Sequence, residues 1–149
     1  MYITGGAGVG KSHLLRELIR QLPTSTTVVT ASTGIAACQI GGVTIHHWSG
    51  VCSVERSIEQ LAPLIRVRRG AQWRAAKVLI IDELSMLDGR LFDLLEAVAR
   101  RIRGVDAPFG GLQCVLLHLL IAPSPSPNEP NTYAKVGPDT DAGEFRGSG

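Results

Sequence analysis

The sequence predicts an α/β fold with a parallel sheet and flanking helices, and two observations support it. Short apolar runs typical of strands alternate along the chain with stretches whose apolar residues have helical spacing. One run, KVLIID at residues 77–82, has the nearly continuous apolar character of a strand buried on both faces of a parallel sheet. The length of 149 residues suits one domain, and 44% hydrophobic with 19% charged residues excludes a fibrous or wholly disordered chain.

The predicted elements follow one another in order. Residues 2–4 form the end of a strand, a glycine-rich turn follows, and residues 11–22 form a helix with its leucines at helical spacing. The β-branched run TTVVTA at residues 26–31 predicts a second strand, KVLIID a third, and QCVLL at residues 113–117 a fourth. Between the last two strands, an apolar stripe predicts another helix: Leu91, Leu94, Leu95, Val98 and Ile102.

The C-terminal part has a different composition. Residues 122–149 contain 5 of the 8 prolines and, apart from alanines, Val136 as their one aliphatic residue. Such a segment has too little apolar surface to offset its chain entropy. We therefore expect a folded domain over residues 1–121 and a disordered, Pro/Gly/Ser-rich tail over residues 122–149.

Charge and cysteine usage narrow the class of protein. The net charge of +2 is too small to indicate a nucleic-acid partner by itself. The three cysteines contain no CxxC pair, so neither a disulfide framework nor a zinc site is predicted. The first residues lack the pattern of a signal peptide, and the longest apolar run is far shorter than a membrane span. We expect an intracellular protein with no disulfide partner and no membrane association.

A phosphate-binding motif gives the strongest functional signal. Residues 5–12 satisfy GxxxxGK[ST], and they lie between a predicted strand and a predicted helix, where a P-loop requires them. Lys11 would reach the β- and γ-phosphates of ATP, and the Ser12 hydroxyl would bind Mg²⁺. The alternative is a glycine turn followed by a surface lysine. The predicted nucleotide-binding residues are Gly5, Gly6, Ala7, Gly8, Val9, Gly10, Lys11 and Ser12.

An acidic pair follows the most apolar strand. Asp82 and Glu83 come directly after KVLII, at the carboxyl end of a parallel strand, where such sheets bind their ligands. Asp82 would hold Mg²⁺, and Glu83 would orient and deprotonate the attacking water as a general base. Together with Lys11 they form the predicted catalytic set. An acidic cap for the following helix is the simpler alternative, and it is compatible with the catalytic one.

Five strings resemble one known family. TGGAGVGKS, TASTGIAACQIGG, VTIHHWSG, VLIIDELSML and PFGGLQCVLL, in this order, are similar to the first RecA-like domain of the PIF-type DNA helicases, which are superfamily-one P-loop NTPases. The resemblance implies ATP and Mg²⁺ as cofactors, hydrolysis coupled to 5′-to-3′ unwinding, and single-stranded DNA or DNA junctions as partners. It also implies roles in DNA repair, recombination and telomere maintenance, in the nucleus or mitochondrion of a eukaryote.

The resemblance also assigns DNA contacts residue by residue. Segment 30–34 corresponds to the family's contact with the single-strand backbone, through Thr30, Ser32, Thr33 and Gly34. His46 and Trp48 correspond to a following histidine-aromatic motif. For Trp48 the alternatives are a base-stacking platform and a core aromatic, and for His46 a DNA contact or a helix cap or packed imidazole. We expect His47, the cysteines and Arg66, Arg68, Arg69 and Arg74 to be solvated or packed, with phosphate contacts open for the arginines.

The similarity to the family ends after QCVLL. The family continues with a motif whose glutamine senses the γ-phosphate, whereas this chain reads HLLIAPSPSPNEP, which suggests a frameshift, a retained intron or a gene-model error. The second RecA-like domain, which supplies arginine fingers, is not within these 149 residues, so the predicted domain is incomplete. The alternative to a helicase is therefore an inactive nucleotide-binding fragment or pseudogene product, and a small P-loop kinase is a weaker third possibility. We expect weak DNA binding from the fragment.

Overall fold

Five parallel strands form a single sheet in the spatial order β1-β5-β4-β2-β3. The computed structural model describes residues 1–5 and 10–119. The central strand β4 is paired with β5 and β2 on its two sides, and Ala31 at the end of β2 is aligned with Asp82 at the end of β4. The strands are β1 (Tyr2–Gly5), β2 (Thr27–Ala31), β3 (Val43–Thr44), β4 (Val78–Asp82) and β5 (Gln113–Leu119).

Helices connect the strands. The first follows the phosphate-binding motif, two short ones flank β3, and two long ones lie before and after β4: α1 (Lys11–Gln21), α2 (Gly34–Gln39), α3 (Ile45–Ser49), α4 (Ile58–Ala75) and α5 (Gly89–Arg103). Single 3₁₀ turns at Leu84–Met86 and Pro108–Gly111 precede α5 and β5. Parallel neighbouring strands require such crossovers, because the chain must return to the amino edge of the sheet before each new strand.

The sheet is covered on both faces, as the apolar character of β4 predicts. Val78 and Ile80 point into the core that α1 closes, whereas Leu79 and Ile81 point into the core beneath α4 and α5. Successive residues of a strand point to opposite faces, so a strand buried on both sides must be apolar at nearly every position. All four of these side chains are buried.

The predicted fold class is confirmed. The strands at the start of the chain, at residues 26–31, 77–82 and 113–117, and the helices at residues 11–22 and 91–102 all form, with ends that differ by a few residues. The sequence did not predict α2, β3, α3 or the 18-residue α4. The tail expected to be disordered, residues 122–149, lies outside the described residues.

Candidate functional site

The predicted site residues follow three strands that end at one edge of the sheet. All the strand pairs are parallel, so the carboxyl ends of β1, β2 and β4 share this edge. The phosphate-binding motif begins at Gly5 at the end of β1, the segment 30–34 spans the end of β2, and Asp82 is the last residue of β4. In open α/β sheets, ligands bind outside these carboxyl ends.

The amino terminus of α1 is arranged to accept an anion. Gly10, directly before the helix, has a φ of 82°, a conformation that glycine adopts without steric cost, and its carbonyl accepts the Leu14 N–H at 2.9 Å. The first turn contains no acidic residue, and no side chain of the described residues caps it. Ser12 is exposed in this turn. The first N–H groups of the helix could therefore bind a phosphate. Four other residues of the predicted motif lie outside the described residues: Gly6, Ala7, Gly8 and Val9.

Asp82 and Glu83 form a constrained turn at the end of β4. The Glu83 N–H donates to Asp82 Oδ1 at 2.8 Å, which leaves the second carboxylate oxygen of Asp82 without a hydrogen bond to the described residues. Glu83 has φ 53° and ψ 49°, in the left-handed region that side chains disfavour. Both residues are half-buried. The alternative of an acidic helix cap is not supported. Glu83 directly precedes the 3₁₀ turn at Leu84–Met86, but its side chain makes no capping hydrogen bond there. The next helix, α5, is capped by Asp88, which accepts the Arg90 N–H at 2.7 Å.

The side chains of segment 30–34 make hydrogen bonds within the protein. Thr30 is fully buried, and its hydroxyl donates to the Ile80 carbonyl at 2.6 Å. The Thr33 hydroxyl accepts the Ala36 N–H at 3.3 Å and caps α2. Ser32 is bonded to the turn at Asp82 and Glu83. A contact of this segment with a nucleic acid would therefore use backbone groups around Thr33 and the exposed Gly34, and not the Thr30 side chain.

Trp48 lies in the core, which favours the packing alternative. Its side chain is 7% exposed, and its ring lies 4.5 Å from that of Trp73, centroid to centroid. Both tryptophans anchor α3 to α4, since Gln72 donates to the Trp48 carbonyl and Trp73 Nε1 donates to the Ser49 carbonyl at 3.0 Å. At this exposure little of the ring is accessible to a nucleic-acid base. His46 is half-buried in α3, next to the exposed His47.

The other singled-out residues are at the surface or pair with the backbone. Arg66 donates to the Arg101 carbonyl at 2.7 Å, and Arg68 and Arg69 line a cleft of about 370 Å³ together with Arg56. Cys38, Cys52 and Cys114 are free thiols. Burial raises the pKa of the Cys114 thiol to about 11. Within residues 1–5 and 10–119, no helix combines the length and the apolar character needed to cross a membrane.

The residues present fit a magnesium ion that is shared with a nucleotide. The described residues contain no group of three or more His, Cys, Asp and Glu side chains that could hold a metal ion. Mg²⁺ bound with nucleotides needs less, because phosphate oxygens and water supply most of its ligands and the protein adds one or two oxygens. The Ser12 hydroxyl and the Asp82 oxygen that has no hydrogen bond to the described residues are ligands of this kind.

Comparison with known proteins identifies relatives of this domain. The PIF1-like helicase family matches residues 1–118. ATP-dependent DNA helicase PIF7 of Trypanosoma brucei brucei is 53% identical over 121 residues, which are 78% of this chain and 12% of that protein. The chain thus spans about an eighth of this relative's length.

Solved structures of Pif1 helicases share the fold of this domain. The crystal structure of Pif1 helicase from Candida albicans has a TM-score of 0.74 and 41% identity, covering 79% of this chain and 28% of that one. Pif1 helicase from Bacteroides in complex with ADP-AlF3 and ssDNA has a TM-score of 0.65 and 31% identity, covering 80% of this chain and 28% of that one. The RecA-like architecture implied by the resemblance is therefore confirmed.

Proposed function

The chain belongs to the PIF1-like helicase family, and we propose that it forms the ATP-binding part of an ATP-dependent DNA helicase. In the complete protein, hydrolysis of Mg-ATP would drive 5′-to-3′ unwinding of DNA. The observation that supports this most directly is the convergence of the α1 amino terminus, the segment 30–34 and the pair Asp82 and Glu83 at one edge of the sheet. A Bacteroides Pif1 structure that contains ADP-AlF3 and ssDNA has the same fold over this domain.

The nucleotide would be held mainly by backbone groups and two side chains. N–H groups of the motif at residues 5–12 would bind the phosphates, and the partial positive charge of the α1 amino terminus would stabilise them. Lys11, the first residue of α1, would neutralise charge on the β- and γ-phosphates. Ser12 and Asp82 would supply oxygen ligands for Mg²⁺, and the bound ion would neutralise charge that develops on the phosphates.

Glu83 is the proposed general base. Its backbone lies in the left-handed region immediately beyond Asp82, which already holds its own backbone neighbour through Oδ1. One carboxylate can thus serve the metal while the other accepts a proton from water. Strained backbone of this kind concentrates at catalytic positions, and it supports an assignment that the sequence pattern suggested independently.

Single-stranded DNA is the proposed macromolecular partner. The turn after β2 exposes Gly34 at the same edge as the nucleotide residues, which allows its backbone N–H groups to contact phosphates. Such contacts are independent of base sequence and depend on salt. Roles in DNA repair, recombination and telomere maintenance, and a nuclear or mitochondrial location, are part of this proposal because they follow from the resemblance to the family.

Calorimetric titration with Mg-ATP tests the nucleotide part of the proposal. Lys11→Ala should abolish measurable binding, because it removes the phosphate-neutralising charge while leaving the helix intact. Lys77→Ala is the matched control, since Lys77 is an exposed lysine just before β4, at the opposite edge of the sheet. Equal affinity of wild type and Lys11→Ala would contradict the assignment, and so would equal losses in both variants.

A further inference from the structure

Ser32 connects two turns of the candidate site. It follows β2, and its backbone N–H donates to the Asp82 carbonyl at 3.2 Å. Its hydroxyl donates to the Glu83 carbonyl at 2.9 Å. One residue of the segment proposed to contact nucleic acid is thus hydrogen-bonded to both carboxylate residues proposed to act on the nucleotide.

Both peptide groups that flank the Glu83 Cα are held in place. The Glu83 N–H donates to Asp82 Oδ1, and the Glu83 carbonyl accepts the Ser32 hydroxyl and also the Met86 N–H at 3.0 Å. A left-handed conformation of a non-glycine residue persists only when its surroundings over-determine it. Apolar contacts support the turn as well, because Leu84 and Leu87 pack against the core although Met86 is exposed. The hydrogen bonds, however, act on the Glu83 peptide groups themselves.

Ser32 is the residue of segment 30–34 whose side chain reaches this turn. The Thr30 hydroxyl donates further back along β4, to Ile80, and the Thr33 hydroxyl is engaged at the start of α2. The direction of the Cα–Cβ bond is set by φ and ψ, so a group that fixes the Glu83 peptide planes also fixes where its side chain starts and limits the positions that its carboxylate can reach.

We propose that Ser32 is a positioning residue, whose hydroxyl holds Glu83 in the left-handed conformation and transmits movement of residues 32–34 to the Glu83 carboxylate. Nucleic acid bound at Thr33 and Gly34 would in this way adjust the residue that acts on water. The roles of the carboxylate and of the segment rest on the proposed function. The hydrogen bond and its effect on Glu83 do not, so the two can fail separately.

Nuclear magnetic resonance of the labelled 149-residue chain tests the positioning role. A positive φ brings the amide proton of Glu83 close to its own α-proton, which gives a strong intraresidue cross peak. We expect this peak in the wild type and in Ser32→Thr, which keeps the hydroxyl, and its loss in Ser32→Ala. Ser53→Ala is the control, because the Ser53 hydroxyl also bonds a backbone group, the Glu55 N–H at 3.1 Å, in a different turn.

A titration with oligothymidylate tests the transmission. The Glu83 amide resonance should shift in the wild type and in Ser32→Thr, and this shift should be lost in Ser32→Ala. If Ser32→Ala does not fold, Ser32→Cys replaces it, since a thiol is a weaker donor and should weaken both signals.

The possible results separate the two claims. An unchanged Glu83 cross peak in Ser32→Ala or Ser32→Cys overturns the positioning role. A Glu83 shift that persists in the variant overturns the transmission. A Ser32-dependent cross peak without any response to the oligonucleotide supports the positioning role and contradicts the proposed nucleic-acid segment instead.

Discussion

Two non-glycine residues of the described chain have a positive φ, and they lie in regions of opposite character. Glu83 belongs to the acidic turn, residues 82–86, where it is half-buried and Met86 is exposed. Phe109 belongs to the aromatic corner, residues 108–111, where its φ is 51° and its ring is buried against Phe92, with ring centroids 5.1 Å apart. The residue with the positive φ thus carries a half-buried carboxylate in one region and a buried aromatic ring in the other, although Leu84 beside Glu83 also packs against the core.

The difference shows how to distinguish functional from structural strain. At the aromatic corner, Glu96 accepts the Phe109 N–H at 3.2 Å, and Arg103 donates to the Gly110 carbonyl at 2.7 Å. Burial of a large ring and bonds to two charged groups offset the backbone cost there. At the acidic turn the bonds come from Asp82 and Ser32, which are themselves candidate site residues. The strained residue there carries a carboxylate in place of a buried ring, and strained backbone clusters at functional sites.

Removal of the Phe109 ring should have the largest effect on stability. Phe109→Ala leaves a cavity beside Phe92 and should lower the free energy of unfolding by about 3–5 kcal/mol. Urea denaturation followed by circular dichroism measures this. Val67→Ala, at a position that is 87% exposed, is the control and should change stability by less than about 0.5 kcal/mol. A loss for Phe109→Ala no larger than the control's would remove the distinction between the two regions.

Arg103 is predicted to have the next largest effect. Its guanidinium also donates to the carbonyls of Trp73 at 2.6 Å and Ala76 at 2.8 Å, so it joins the end of α4 to the aromatic corner. Arg103→Met keeps an unbranched apolar stem but removes the guanidinium and leaves carbonyls unpaired, which should cost about 2–3 kcal/mol in the same denaturation experiment. The neighbouring, exposed Arg101 gives the control Arg101→Met. Similar losses for both would show that the Arg103 bonds contribute little.

At the acidic turn, in contrast to the aromatic corner, removing the side chain down to glycine should relieve backbone strain. Glycine adopts the left-handed region without steric cost, so Glu83→Gly should be about 1 kcal/mol more stable than Glu83→Ala, which retains the Cβ. The comparison with alanine separates this conformational effect from the loss of the carboxylate. Thermal unfolding of the two variants measures it. A less stable glycine variant would indicate that Glu83 is not strained in the folded chain.

The reactivity of the three cysteines compares exposed and half-buried surroundings without any substitution. Cys38 and Cys52 are exposed, whereas Cys114 is half-buried near the aromatic corner, with its Sγ 3.7 Å from the Leu112 carbonyl. Because burial raises the pKa of Cys114 to about 11, little thiolate is present there near neutral pH, and the thiolate is the reactive form. Alkylation with mass-spectrometric readout at pH 8 should modify Cys114 last, and its rate should continue to rise as the pH approaches 11. Equal rates for all three thiols would contradict this.

The sequence predicted the elements whose patterns are strong. Strand β4 is apolar on both faces, and α5 has one apolar stripe, so their periods are evident. Helix α4 was missed because Pro63 lies inside it and Leu64 and Val67 are exposed, which hides its buried stripe. A usable signal was present at its start, where Ser57 and Gln60 have the spacing of a capping box and the Ser57 N–H donates to the Gln60 side chain at 3.3 Å.

The candidate site was predicted in its position but not in all its side chains. The motif at residues 5–12 and the pair Asp82 and Glu83 depend on strand order, which alternation of elements implies. The side-chain assignments for Thr30 and Trp48 depend on burial, which requires knowledge of which partners lie opposite: Ile80 for one and Trp73 for the other. Long-range pairs of this kind are not visible in local periodicity. The link from Ser32 to Glu83 also depends on the register of β2 against β4.

A map of amide resonance shifts with Mg-ATP tests the central claim most directly, because it compares the two regions in one measurement. We expect the shifts to be concentrated at the start of α1 and in the acidic turn, around Ser12 and Glu83, and the aromatic corner around Phe109 to be unaffected. Lys11→Ala should remove the shifts in both responding regions. Shifts centred on the aromatic corner, or a full response in Lys11→Ala, would contradict the assignment of the nucleotide site to the carboxyl edge of the sheet.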